Sequence, residues 1–336
     1  MRLLPLLRAL TRRPSRAALL EIHIPISPNR HFFTMLHYFA ASLRLNGGSL
    51  AGSRIVVSVG EDCEPYDLYR DNPWSRLYNL EWCWVDREQF CRQSYFATGN
   101  ARFRYDYRAP AVMIADADVL VTADFADAVH DCIRAQAIEG VIAHVPPFKT
   151  KLHGPIKETW IRVFRSAGLP DPQFMYEHGG FGTLVTREDE RYCPPYFNFG
   201  MLLGPASVMR QIAEWVDAEV AAVERVHDTH FKCQIALSLS VARLGIPVRQ
   251  LPLRYNMPND DRLFKRHPAE ARQVRIFHYL SKHGGHFEKR RDFADYAAVA
   301  GFLNRDGLDD VNREMQRRLR PIHAQVLRDL AAAAAD

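Results

Sequence analysis

The chain has 336 residues, 47% of them apolar and 25% charged, which is the balance of a soluble globular protein with one large or two ordinary domains. Its net charge of +5 suits an anionic small substrate or an acidic membrane surface but is too slight to indicate nucleic acid. No apolar run approaches the ~20 residues of a membrane-spanning helix, and the six cysteines form no C-x-x-C pair, so they read as reduced thiols of a cytosolic protein.

The first twenty residues, MRLLPLLRALTRRPSRAALL, carry five Arg and no acid. They read as a basic tail or as a basic segment lying on anionic lipid through Leu3, Leu6, Leu7 and Leu10, with Pro5 and Pro14 opposing a helix. Leu20–Ile26 is a strand, followed by the turn signal Ser27-Pro28-Asn29. Phe32, Leu36, Phe39 and Leu43 then mark one helix face, stopped by Gly47-Gly48. Arg54–Gly60 is a second strand, parallel to the first through a right-handed crossover. A short strand over Trp82–Val85 comes next, and the run PAVMIADADVLV, residues 110 to 121, reads as one further strand. Ala123–Gln136 reads as a helix and Gly140–Val145 as a strand. Residues 146 to 196 are rich in turns. Tyr196–Leu203 is a strand, and from Ser207 a long helix follows with Val208, Ile212, Trp215, Val216, Val220 and Val223 as its stripe. A second helix spans Thr229–Leu244. Val248–Tyr255 and Gln273–Leu280 read as late strands, and a charged helix begins near residue 309. Strands alternating with helices define an α/β sheet covered on both faces.

The middle of PAVMIADADVLV poses a chemical problem. In an extended strand the side chains at i and i+2 share a side, so Asp116 and Asp118 converge. Burying two unpaired carboxylates together is very costly, and a bound divalent cation offsets that cost. Hard oxygen ligands suit Mg²⁺ or Mn²⁺ rather than zinc. An EF-hand is excluded because Val121 and Asp127 stand where the loop needs Gly and Glu. A magnesium-dependent phosphohydrolase would have a more open loop after its aspartates than Val119-Leu120-Val121. The pairs His227/His230 and His283/His286 lack the H-E-x-x-H spacing of a zinc enzyme.

IADADVLV, with two strand–helix units before it and YFNFGMLLGP after it, resembles the nucleotide-sugar glycosyltransferases of the GT-A fold, nearest to the glycogenin and bacterial lipopolysaccharide-transferase group. The resemblance implies a Rossmann-like mixed central sheet with helices on both faces. It spans roughly residues 20 to 290 and frames a basic tail over 1–20, a catalytic domain over 21–300 and a helical tail over 301–336. It implies that Asp116, Asp118 and His278 hold the metal, with Asp116 also touching the donor's ribose. Asn198, in the F-N-x-G strand, and Gln234 would stand near the anomeric carbon of a retaining enzyme. Cys233 replaces the acid that precedes this glutamine in the group, and no Lys-Pro-Trp follows the late histidine.

An inverting enzyme would instead need a general base, for which Glu177 and Asp228 are candidates. Arg102, Arg104, Arg108 and Lys282 are candidates for the diphosphate, and Ile26, Ser27, Glu61 and Asp62 for the nucleoside. The expected activity is metal-dependent transfer from a UDP- or GDP-sugar to a glycan, lipid-linked or protein acceptor, in the cytoplasm or at the inner membrane face. A nucleotidyltransferase is disfavoured because IPISPNRHFF lacks a Gly-rich phosphate loop. The competing readings are a metal-dependent phosphohydrolase and a non-catalytic nucleotide-sugar-binding module.

Overall fold

The structure, a computed structural model, describes residues 18–103, 106–280 and 286–335. The basic N-terminal segment, Arg104, Lys282 and His283 lie outside the described residues.

The strands, in chain order, are β1 (Leu20–Ile26), β2 (Arg54–Val59), β3 (Leu80–Trp84), β4 (Ala111–Ile114), β5 (Val119–Val121) and β6 (Ile138–Ile142). They continue with β7 (Tyr176–Glu177), β8 (Tyr192–Cys193), β9 (Phe197–Pro205), β10 (Val248–Gln250), β11 (Met257–Pro258) and β12 (Ile276–His278). Seven form a mixed sheet in the order β10-β6-β9-β4-β1-β2-β3. β1 runs parallel to both β2 and β4, as the crossover rule requires. β9 runs antiparallel between β4 and β6. A second sheet is ordered β11-β12-β5.

Helices cover both faces, so the strands of the large sheet are apolar on both sides. Alternation assigns the faces: Ala111 and Met113 join one core cluster, and Val112 and Ile114 join the other. Polar exceptions are satisfied in place. Glu21 and His23 are buried in β1; His23 Nε2 lies 2.7 Å from Glu21, whose second oxygen accepts Arg54 at 2.7 Å. Burial raises the Glu21 pKa, and the His23 and Arg54 partners outweigh it, bringing the carboxyl down to about 2.

The helix Arg30–Asn46 begins where Asn29 accepts the Phe32 N–H at 3.1 Å. It lies under the terminal helix Asp310–Ala333, whose Val311, Met315, Leu319, Ile322 and Val326 belong to the same core cluster. A buried polar group joins them. His37 stacks on Trp74 with ring centroids 4.1 Å apart, and its Nε2 lies 3.4 Å from Asp329, which also accepts the Tyr78 hydroxyl.

Three expectations need correction. PAVMIADADVLV is not one strand: β4 ends at Ile114 in the large sheet and β5 begins at Val119 in the small one. The long helix after Ser207 is two helices, Ala206–Ala213 and Val216–Glu224, with Glu214 and Trp215 at the joint. The late strands are short, because only Val248–Gln250 and Ile276–His278 find ladder partners.

Candidate active site

The break between β4 and β5 creates the site. Residues 115 to 118 carry the chain from one sheet to the other, and both aspartates stand in that connection. The Ala115 N–H still bonds to β1 through the His23 carbonyl at 3.0 Å, and the Asp118 carbonyl accepts the Tyr279 N–H at 3.0 Å. The connection is thus fastened at both ends. β12 runs antiparallel to β5 with His278 opposite Val119, which sets the imidazole beside Asp118. The ligand atoms of Asp116, Asp118 and His278 all lie within 4.8 Å of one another.

His278 is 2% exposed and its orientation is held through a chain of amides. Asn198 Oδ1 accepts the Gly200 N–H at 2.8 Å and the Asn256 amide N–H at 3.0 Å. That assigns the Asn256 oxygen to the His278 side, where Nδ1 lies 2.9 Å away. Nδ1 therefore carries the proton. Nε2 is left facing Asp118 Oδ1 at 3.2 Å. An imidazole lone pair opposite a carboxylate oxygen repels it unless a proton or a cation lies between. Two carboxylates and one such imidazole nitrogen form a donor set that fits Mn²⁺ or Mg²⁺, and the Asn256 contact is the outer support such ligands normally have.

Each aspartate also has an internal cation. Arg102 is 4% exposed and lies 3.3 Å from Asp116, with further bonds to the Gly99 and Ala115 carbonyls. Its guanidinium sits 4.8 Å over the Phe199 ring. The Lys289 ammonium donates to Asp118 Oδ2. Burial raises the Asp118 pKa, but the Lys289 ammonium opposes it, and the carboxyl lies below the usual range.

Asp116 opens onto a cleft of about 270 Å³ at the end of β1. Of the expected residues, Ile26, Ser27, Arg102, Asp116 and Gln234 line this cleft together. Asp118 and His278 stand behind Asp116, buried. Asn198 is not on the cleft wall; it acts on His278 through Asn256. Glu61 is exposed and accepts the N–H of Asp62. Asp228 does not line the cleft but an adjoining outer cavity of about 650 Å³, where it lies 3.4 Å from Lys232. Glu177 pairs with Arg191 at 2.6 Å, away from both cavities. Arg108 bonds to Glu21 through its backbone N–H.

Sequence reasoning missed Lys289, Asn256 and Thr98. Lys289 stands in the charged run FEKRRD, which reads as a solvated helix face. Thr98 lines the cleft, is 3% exposed, and its hydroxyl has no partner among the described residues.

No protein-family model matches the chain, and no curated protein matches it. Solved structures do. The galactosyltransferase LgtC, solved with donor and acceptor sugar analogs, is 18% identical, covers 83% of this chain and 93% of its own, and superposes with a TM-score of 0.50. An active-site mutant of LgtC gives the same identity and coverage with a TM-score of 0.51. The seven-stranded mixed sheet flanked by helices is the GT-A fold of nucleotide-sugar glycosyltransferases.

Proposed function

We propose that the protein is a metal-dependent glycosyltransferase that uses a nucleotide-diphosphate sugar, UDP- or GDP-linked, as donor. The observation that carries this reading is the Asp116–Asp118–His278 cluster, whose Asp116 opens onto a cleft at the end of β1. Open α/β sheets bind ligands at such crevices.

A divalent ion held there, Mn²⁺ or Mg²⁺, supplies Lewis-acid stabilisation of the charge that builds on the leaving diphosphate. The chain's own residues do the rest. Asp116 and Asp118 provide hard oxygen ligands, and His278 offers Nε2 because Asn256 keeps the proton on Nδ1. Arg102 holds Asp116 in place. Ile26 and Ser27 border the cleft where the nucleoside would lie. Gln234 lines the same cleft, whereas Asp228 belongs to the outer cavity, and this division favours retention, with Gln234 close to the anomeric carbon. The outer cavity suits the acceptor: Tyr95, Phe96, His230 and Phe231 border both spaces, and exposed aromatic faces stack on sugar rings. A glycan acceptor, free, lipid-linked or on a protein, fits that wall. None of the six cysteines forms a disulfide, which accords with a cytoplasmic site of action. No described helix is long and apolar enough to cross a membrane.

The test is incubation with UDP- and GDP-sugars with and without Mn²⁺. Release of nucleoside diphosphate supports transfer, while release of monophosphate or inorganic phosphate identifies a phosphohydrolase. Asp118→Ala should lower turnover by at least a thousandfold at saturating Mn²⁺, and retained turnover would remove the metal from the mechanism. NMR of the product anomer reads retention directly.

A further inference from the structure

We propose that Lys289 is a built-in counter-cation that competes with the divalent ion for Asp118, so that metal and nucleotide diphosphate load together rather than singly. The inference rests on the reading of the site as a metal-dependent transferase.

The Asp118 side chain is 10% exposed; Oδ1 faces the bare Nε2 of His278 at 3.2 Å and Oδ2 is held by the Lys289 ammonium. Asp116 is engaged by Arg102. Among the described residues, two carboxylates are thus matched by two cations, Arg102 and Lys289, before any ion arrives. A divalent ion shared by Asp118 Oδ1, Asp116 and His278 Nε2 would sit close to the ammonium on Oδ2, and like charges this close repel strongly. Entry of the metal therefore favours withdrawal of Lys289 from Asp118.

The local structure permits that movement for the side chain and resists it for the backbone. Lys289 opens the short helix Lys289–Asp292, which is pinned from several sides. Asp292 accepts the Glu288 N–H at 2.8 Å and bonds to Arg291 and Arg305 at 2.8 and 2.7 Å. Phe287 and Phe293 are buried against Tyr279, Phe293 stacking at a centroid distance of 4.3 Å. The Lys289 side chain is itself 22% exposed, and its four-carbon stem can swing where a guanidinium fork would not.

Charge then couples the two ligands. A divalent ion alone leaves the site with excess positive charge and a displaced ammonium without a partner. The pyrophosphate of a nucleotide sugar brings two negative charges and removes both penalties. Each ligand should thus raise the affinity for the other, and by linkage the factor is the same in both directions.

The experiment measures Mn²⁺ binding by electron paramagnetic resonance of the free ion, with and without saturating UDP, for the wild-type chain and Lys289→Met. Methionine keeps the apolar stem and removes the charge. We expect Mn²⁺ alone to bind Lys289→Met at least tenfold more tightly than the wild type, and the tightening by UDP to shrink by a similar factor. Lys289→Gln should move both quantities in the same direction, and thermal melts of both variants establish that they are folded. Unchanged Mn²⁺ affinity in both folded variants, with wild-type binding intact, overturns the inference alone. Absence of any Mn²⁺ binding by the wild type, with UDP and with GDP alike, overturns the transferase reading and the inference with it.

Discussion

At the scale of single residues, the site is an exercise in assigning protons. Asn198, Asn256 and His278 form a directional chain that starts at a backbone N–H, and its only consequence is which imidazole nitrogen is left bare. Asn256→Leu preserves volume and removes the acceptor, so the Nδ1 proton loses its partner and the ring loses its orientation. Mn²⁺ affinity, measured by calorimetry in the presence of UDP, should fall by roughly 10- to 100-fold, with a modest loss of thermal stability. The conservative Asn256→Asp keeps an acceptor and should retain most of the binding. The aspartates were legible in the sequence because polar groups inside an apolar run violate burial rules. Asn256 was not, since it stands in Asn256-Met-Pro-Asn-Asp260, where asparagines read as turn formers. Its role exists only through contacts 22 and 58 residues away.

Elements follow a different logic, because sheet membership is not a local property. β4 and β5 are both wholly buried, so their residues look alike, and only the hydrogen-bond partners distinguish a strand of the large sheet from one of the small sheet. Period and composition predicted the first crossover, the first helix and the paired aspartates, because those depend on neighbours in sequence. Strand ends and the split helix depend on tertiary partners and were misjudged accordingly. The same dependence makes Gly60 critical. A Cβ there would lie 2.0 Å from the Thr98 hydroxyl and 2.7 Å from the Phe90 ring. Gly60→Ala should push the helix Tyr95–Ala101 away from β2, costing roughly 1–3 kcal/mol in urea denaturation and weakening UDP binding by thermal shift. Normal stability together with normal UDP binding would show that the close approach has no consequence for the cleft.

The molecule as a whole is closed by its last helix. The segment expected as a helical tail contributes apolar side chains to the same core as β1 and β2 and carries the Asp329 carboxylate that His37 and Tyr78 share. A chain ended after residue 305 would strip Tyr38 of its stacking and hydroxyl partner His323 and leave His37 without its acid. We expect it to be recovered as insoluble protein or as a species lacking a cooperative melt. A folded, UDP-binding truncation would establish that the terminal helix is dispensable. The fold's legibility from sequence was greatest where this core is built, in strands and helices with strong periodicity.

The position of β9 has a temporal consequence. It lies between β4 and β6, yet both of those strands leave the ribosome well before it does. Until Phe197–Pro205 is synthesised, the nascent chain presents two bare strand edges with nothing to pair them, a state prone to aggregation. Assembly of the sheet is therefore held back until about two-thirds of the polypeptide has emerged, and chaperone demand during synthesis should peak in that interval.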